Sequence, residues 1–280
     1  MRPSRTPIGF AYHQEIECVR SGCVVAWLKS SRPIERGAPT RTDPFFAHIL
    51  APMTTSQPVT AVDFYFDSMC PWAYQTSLWI KDVAAQTGLT INWKFFSLEE
   101  INREEGKKHP WEREVSYGWT PLRIAAWLRR IEMKLCGDWY GVIGNALHID
   151  GRRPYEKEVA LELLQQIGAP ASTWDDALAD PTTHDEVRAD HERAVSEYAG
   201  FGVPILVFPN NRATFGPVVV PAPTGKEAMQ LWEITAAYNS FPGLYEIKTP
   251  KTAADMQHIA DAFNPYLRAR QWNSVQNPAP

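Results

Sequence analysis

VDFYFDSMCPWAYQTSLW, running from Val62 to Trp79, decides the reading of this chain. Val62-Asp63-Phe64-Tyr65-Phe66 is rich in aromatic and β-branched residues and predicts a buried strand. Cys70-Pro71-Trp72 follows in a tight turn. Trp79, Ile80, Val83 and Ala84 then recur on one stripe of a helix that Gly88 should stop. Cys70 falls at the expected N-cap, and Pro71 suits the first helical position, where its missing N–H is no loss. The free N–H groups of that first turn and the helix dipole favour negative charge, so the sequence predicts a stabilised thiolate at Cys70. Where a disulfide exchanger would carry a second cysteine, this chain has Ala73.

Outward from the turn, Leu89 to Leu98 predicts a second strand, and strand–helix–strand points to a parallel βαβ unit. Between about Gly106 and Gly200 the pattern is helical throughout. Ile124, Trp127, Leu128, Ile131 and Leu135 recur at helical spacing, as do Val159, Leu163 and Ile167, and then Val187, His191, Ala194, Val195 and Tyr198. Val203 to Phe208 predicts a strand opened by Pro204, Asn210-Asn211 a turn, and Ala213-Thr214-Phe215 the partner strand. A last amphipathic helix uses Ala228, Leu231, Trp232 and Thr235, and the polar tail after Tyr266 reads as frayed. The expected fold class is α/β: a thioredoxin-like fold with an all-helical insertion. Residues 59–105 and 201–248 form the thioredoxin-like domain, 106–200 the insertion, and 249–280 a C-terminal extension.

Residues 1–58 differ, with seven prolines, no sustained periodicity and a charge of +3. They read as a poorly ordered N-terminal extension. Within it, residues 1–52 are expected to derive from an upstream start that the cell seldom uses, since Met53-Thr54-Thr55-Ser56 offers a natural beginning. Cys18 and Cys23 have the spacing of half a zinc site, but no second Cys/His pair follows within reach, and no metal is expected.

The 280 residues suffice for a sizeable core, and 44% hydrophobic content is ordinary for a globular protein. A net charge of −4 without a basic run leaves no electrostatic footprint for nucleic acid or an anionic membrane. The apolar run Val24 to Leu28 is too short for a secretory signal or a membrane span, so the expected setting is the cytoplasm. No phosphate-cradling glycine loop or serine-hydrolase elbow is present.

The segments DFYFDSMCPWAYQTSLWI, FGVPILVF and TFGPVVVPAPTGKEAMQLWEI resemble the DsbA-like branch of the thioredoxin superfamily, and within it the actinobacterial mycothiol-dependent nitroreductases. The likeness runs from about Val62 to Lys248. It is distinctive in the CPW turn, Gly202-Val203-Pro204, Phe215-Gly216-Pro217 and Leu231-Trp232. The resemblance implies a cytoplasmic homodimeric enzyme that takes electrons from a low-molecular-weight thiol, mycothiol or glutathione, to reduce a small electrophile. Carried over, Cys70 is the nucleophile with Pro71 and Trp72 beside it, and Pro204 is the cis-proline that sets the Val203 backbone next to the sulfur. Asn145 and His148 fall in a family-like segment and are expected to contact substrate or thiol. Trp119, at a helix start beside Pro121, is the expected wall of an apolar pocket over Cys70.

Ala73 departs from the pattern, because attack by one thiolate gives a mixed disulfide that a second thiol must resolve. Either a second small-thiol molecule does so, in a monothiol mechanism, or Cys136 serves. A neighbouring branch, the kappa-class glutathione transferases and hydroxychromene carboxylate isomerases, holds a thiol cofactor on the same fold without redox cycling. The remaining alternative is a non-catalytic thioredoxin-like binding protein. Either would suit a turn that has lost its second cysteine.

Overall fold

A computed structural model describes residues 59–113 and 116–269. The predictions for Cys18, Cys23 and the extension before Val59 lie outside the described residues.

Strand β1 (Ala61–Phe66) leads through the CPW turn into helix α1 (Pro71–Thr87). Gly88 ends that helix with φ 77°, a left-handed conformation that glycine adopts without a steric penalty, and its N–H bonds to Ala84 O. Strand β2 (Thr90–Phe95) pairs parallel with β1, in the register Phe64 opposite Trp93. Helix α2 (Leu98–Ile101) starts the helical block, and α3 (Trp119–Ile131), α4 (Met133–His148), α5 (Lys157–Gln166), α6 (Thr173–Ala179) and α7 (Thr182–Tyr198) complete it. The chain then returns to the sheet as β3 (Ile205–Val207) and β4 (Ala213–Phe215), both antiparallel, and α8 (Gly225–Ser240) closes the core.

The sheet order β2-β1-β3-β4 puts β1 at the centre. A β-α-β unit followed by β-β-α, with an all-helical block between the halves, is the thioredoxin-like fold with a DsbA-like insertion. Strand β1 is buried from Phe64 to Phe66 because it is covered on both faces, which explains why its sequence is almost continuously apolar. The largest buried side chains, among them Phe66, Trp79, Trp93, Phe95, Trp139 and Tyr140, tie the sheet to α1 and α4. Trp79 Nε1 donates to Ala228 O at 2.9 Å, and Trp232 stacks on Phe208, so the Leu231-Trp232 helix braces α1 from behind.

The continuous helix suggested by Ile124 to Leu135 is two helices. Glu132, at φ −159° and ψ 134°, breaks the stripe between α3 and α4. Cys136 therefore lies one turn inside the start of α4, where it is fully buried. Toward the C-terminus, helices α9 (Ala253–Ala262) and α10 (Asn264–Ala269) follow α8, with Tyr266 and Ala269 buried; the expectation for the tail beyond Ala269 lies outside the described residues. Phe263 and Tyr266 pack onto the CPW region. Among the described residues no helix is long and apolar enough to cross a membrane.

Candidate functional site

The carboxyl end of β1 delivers the chain into a turn that Asp67 organises. Its main-chain oxygen accepts the Cys70 N–H at 3.1 Å. Its carboxylate accepts the Met69 N–H at 2.8 Å and, across the turn, the Leu98 N–H at 2.6 Å. Cys70 then caps α1 with extended backbone (φ −92°, ψ 110°), and Sγ accepts the Ala73 N–H at 3.4 Å. On its other side Sγ donates to the Val203 carbonyl at 3.4 Å. The Val203–Pro204 peptide is cis. Cys70, Pro71, Trp72, Val203 and Pro204 are thus brought together from segments more than 130 residues apart in sequence.

Electrostatics modify the expected thiolate. Burial pushes the Cys70 thiol up to about 12; the Ala73 and Trp72 N–H groups pull the other way, while Asp67 adds to the rise. The helix start supplies the predicted stabilisation, but desolvation outweighs it in this closed arrangement, where Cys70 is 6% exposed. The expectation of a stabilised thiolate is corrected accordingly: the buried sulfur is a protonated donor. Asp67 is fully buried too, and desolvation raises its carboxyl to about 7 against the two N–H donors. The neighbouring Glu99 carboxylate accepts Ser116 Oγ–H at 2.6 Å and the Trp119 N–H at 3.0 Å. Two buried carboxylates therefore join the CPW turn, the start of α2 and the start of α3.

Helix α4 presents a stripe spaced by four residues, Tyr140, Gly144 and His148, to the site. Tyr140 stacks on Phe66 at 3.9 Å. Gly144 is required there, since a Cβ would lie 2.2 Å from the Tyr74 ring. His148 stacks on that ring at 5.2 Å, and its Nε2 donates to Ser68 O in the turn at 2.9 Å. Burial lowers the imidazole to about 3, so it is neutral, and Nδ1 has no hydrogen-bond partner among the described residues. His148 thus holds the main chain of the turn rather than the sulfur.

The structure gives Asn145 and Trp119 partners away from the CPW turn. Asn145, one residue and about 100° round the helix from Gly144, faces outward. Its amide donates to Asp150 at 2.9 Å, and it lines a cavity of about 250 Å³ with Arg152, Leu163 and Gln166 that includes no residue of the CPW turn. Trp119 is 1% exposed; its Nε1 donates to His184 at 2.8 Å and its ring packs on Trp111. Cys136 is free and buried, with its thiol also pushed up to about 12 by burial. It lies among the charges of Arg129, Asp190 and Lys81, a group that does not include the CPW turn. Among the described residues no group of three or more His, Cys, Asp or Glu could hold a metal ion.

Two residues missed from the sequence pack against Trp72 and His148. Phe263 meets the Trp72 ring edge-on at 4.7 Å, and Tyr266 packs on His148 at 4.9 Å. The i, i+3 spacing of Phe263 and Tyr266 was a readable signal of an apolar face. Asp67 was readable as well, being a turn-forming residue just after a strand.

Residues 69–249 match the family model described as Rv2466c-like, mycothiol-dependent nitroreductase Rv2466c. The chain is 52% identical over 217 residues to the uncharacterized protein Rv2286c of Mycobacterium tuberculosis, covering 78% of this chain and 94% of that one. Among solved structures it resembles a 2-hydroxychromene-2-carboxylate isomerase (TM-score 0.47, 16% identity, 63% of this chain and 93% of that one). It likewise resembles the cytosolic disulfide reductase DsbM from Pseudomonas aeruginosa with GSH (TM-score 0.47, 16% identity, 63% of this chain and 99% of that one). The chain belongs to the Rv2466c-like family of mycothiol-dependent nitroreductases, and it is a thiol-dependent oxidoreductase with a single cysteine in its CPW turn.

Proposed function

We propose that Cys70 is the nucleophile of a monothiol oxidoreductase that uses mycothiol, or a thiol of the same class such as glutathione, to reduce a small electrophile. The observation that carries this reading is the sulfur's position at the start of α1, with Ala73 in place of a resolving cysteine. Trp72, Val203 and Pro204 are the proposed contacts for thiol and substrate.

For a nitroaromatic electrophile the electrons balance in two stages. Cys70 thiol and one small thiol give a mixed disulfide and two electrons with two protons, which convert the nitro group to nitroso and water. A second small thiol then attacks the small-thiol sulfur of the mixed disulfide. That step breaks the sulfur–sulfur bond, releases the symmetric disulfide and returns Cys70 as thiol after proton uptake. Because Ala73 carries no thiol, the adduct on Cys70 must wait for that external molecule.

The neighbouring transferase or isomerase reading draws on one feature, a Cys70 thiol held protonated against the Val203 carbonyl. The two differ in stoichiometry: the oxidoreductase consumes two thiols per two-electron reduction, whereas an isomerase consumes none. Quantifying free thiol lost and symmetric disulfide formed per electrophile reduced is the test. Thiol consumption of zero during turnover would exclude the monothiol reading. In Ala73→Cys, an internal disulfide between Cys70 and the introduced thiol is expected, with new dithiol-type disulfide reductase activity. Homodimerisation and a cytoplasmic setting remain proposals from the family resemblance.

A further inference from the structure

The C-terminal helices lie beyond residue 249, where the match to the family model ends, yet they sit on the CPW turn. Their attachment is slight. Helix α9 buries no residue, and α10 buries only Tyr266 and Ala269. Phe263, between them, is 7% exposed against Trp72. Tyr266 and Ala269 share one small apolar cluster with Met69 of the turn and Leu147 of α4. The Ala269 carbonyl accepts from Arg153 Nε at 3.1 Å. Residues 241–252, which join the pair to α8, form no helix or strand, and from Tyr245 to Thr252 they are exposed. The nucleophile that an oxidoreductase must present to its substrates is meanwhile 6% exposed.

We propose that Phe263 and Tyr266 form a cover that controls access to Cys70 and selects its substrate, a planar aromatic electrophile taking the place of Phe263 against Trp72. The substrate half rests on the oxidoreductase reading above; the access half does not. Lifting the cover breaks the Phe263–Trp72 and Tyr266–His148 ring contacts, the small cluster around Met69 and the Arg153–Ala269 hydrogen bond, and involves no strand of the sheet. It also rehydrates the sulfur. At pH 8 a thiol pushed up to about 12 is ionised in roughly one molecule in 10⁴, whereas an ordinary cysteine near 8.5 is ionised in about a quarter. Relief of all of the burial and of the Asp67 charge would raise thiolate content on the order of 10³-fold, which is the upper bound for what opening the cover can do.

The test is the rate of iodoacetamide alkylation at pH 8 in the full chain, followed on the tryptic peptide that contains Cys70. Wild type, Phe263→Ala and Tyr266→Ala are compared, with far-UV circular dichroism and thermal melting as checks on folding. The expected result is at least a tenfold faster modification of Cys70 in each variant. In a parallel turnover assay, Trp72→Leu, which removes the ring the electrophile would stack on, should lose at least tenfold in kcat/KM for an aromatic electrophile relative to a small aliphatic disulfide. If Phe263→Ala fails to fold, Phe263→Leu keeps apolar volume without the ring and is read in the same way. Alkylation within twofold of wild type in folded variants overturns the cover. An unchanged aromatic-to-aliphatic ratio overturns the selection. If Cys70→Ser retained turnover, the oxidoreductase reading would fall while the alkylation rates still decided whether the cover exists.

Discussion

Asp67→Asn removes one carboxyl from the interior and changes how stability depends on pH. The carboxyl is fully buried, and desolvation raises it from 3.8 to about 7. Between those values the native protein holds a proton that the unfolded chain has released. Stability must then fall as pH rises through the window from about 4 to about 7, and the loss is complete above the native value. A difference of roughly three pH units at 1.36 kcal/mol each amounts to on the order of 4 kcal/mol. Asn cannot ionise and escapes this loss. It carries a cost of its own, since its oxygen can accept only from Met69 or Leu98 on one side while its NH2 faces the other N–H. An unsatisfied buried donor costs about 1–3 kcal/mol. The variant should thus be less stable than wild type at pH 4 and equal to it or more stable at pH 8. Urea unfolding followed by tryptophan fluorescence at pH 4, 6 and 8 measures both proteins. A wild-type-minus-variant difference that stays constant within about 1 kcal/mol across that range would refute the reasoning. Removing the charge should also lower the Cys70 thiol, because Asp67 contributes to its rise.

Gly144→Ala puts a methyl 2.2 Å from the Tyr74 ring, so ring or helix must shift. Overpacking of this kind costs roughly 1–3 kcal/mol, against at most about 1 kcal/mol gained in helix propensity, and the thermal midpoint should drop by calorimetry. His148, lowered to about 3, should show ring proton shifts that do not move between pH 5 and 8 by NMR; a midpoint near the ordinary 6.5 would contradict its burial. Cys136→Ser should leave turnover and the lifetime of a Cys70 adduct within twofold of wild type, whereas a tenfold longer-lived adduct would make Cys136 the resolving thiol.

The sheet and its helix were legible because one stretch carried all three local signals. A β-branched and aromatic run, a proline at a helix start and a glycine at its end agree with one another from Val62 to Gly88. Pro204 was legible because the pattern fixes where the second half of the sheet begins. The state of the sulfur was not. A helix start can be read from residue order, but desolvation depends on how the whole fold packs around Cys70, which residue order does not state. The α4 residues show the same limit at closer range. Asn145 and His148 are neighbours in a suggestive segment, yet helical geometry sends one to solvent and the other to Ser68. Gly144 is explained by the Tyr74 ring packed against it. Trp119 is tied at both ends, its main chain to the Glu99 carboxylate and its indole to His184, and neither partner can be read from residue order.

The most direct measurement compares wild type with Cys70→Ser, each incubated with mycothiol and a nitroaromatic electrophile, by turnover and by intact mass. The expected result is one thiol adduct per chain on wild type, assigned to Cys70 by peptide mapping. Cys70→Ser should carry no adduct at that position, with turnover reduced at least a hundredfold. Turnover by Cys70→Ser within a few-fold of wild type would contradict the assignment of Cys70 as the nucleophile.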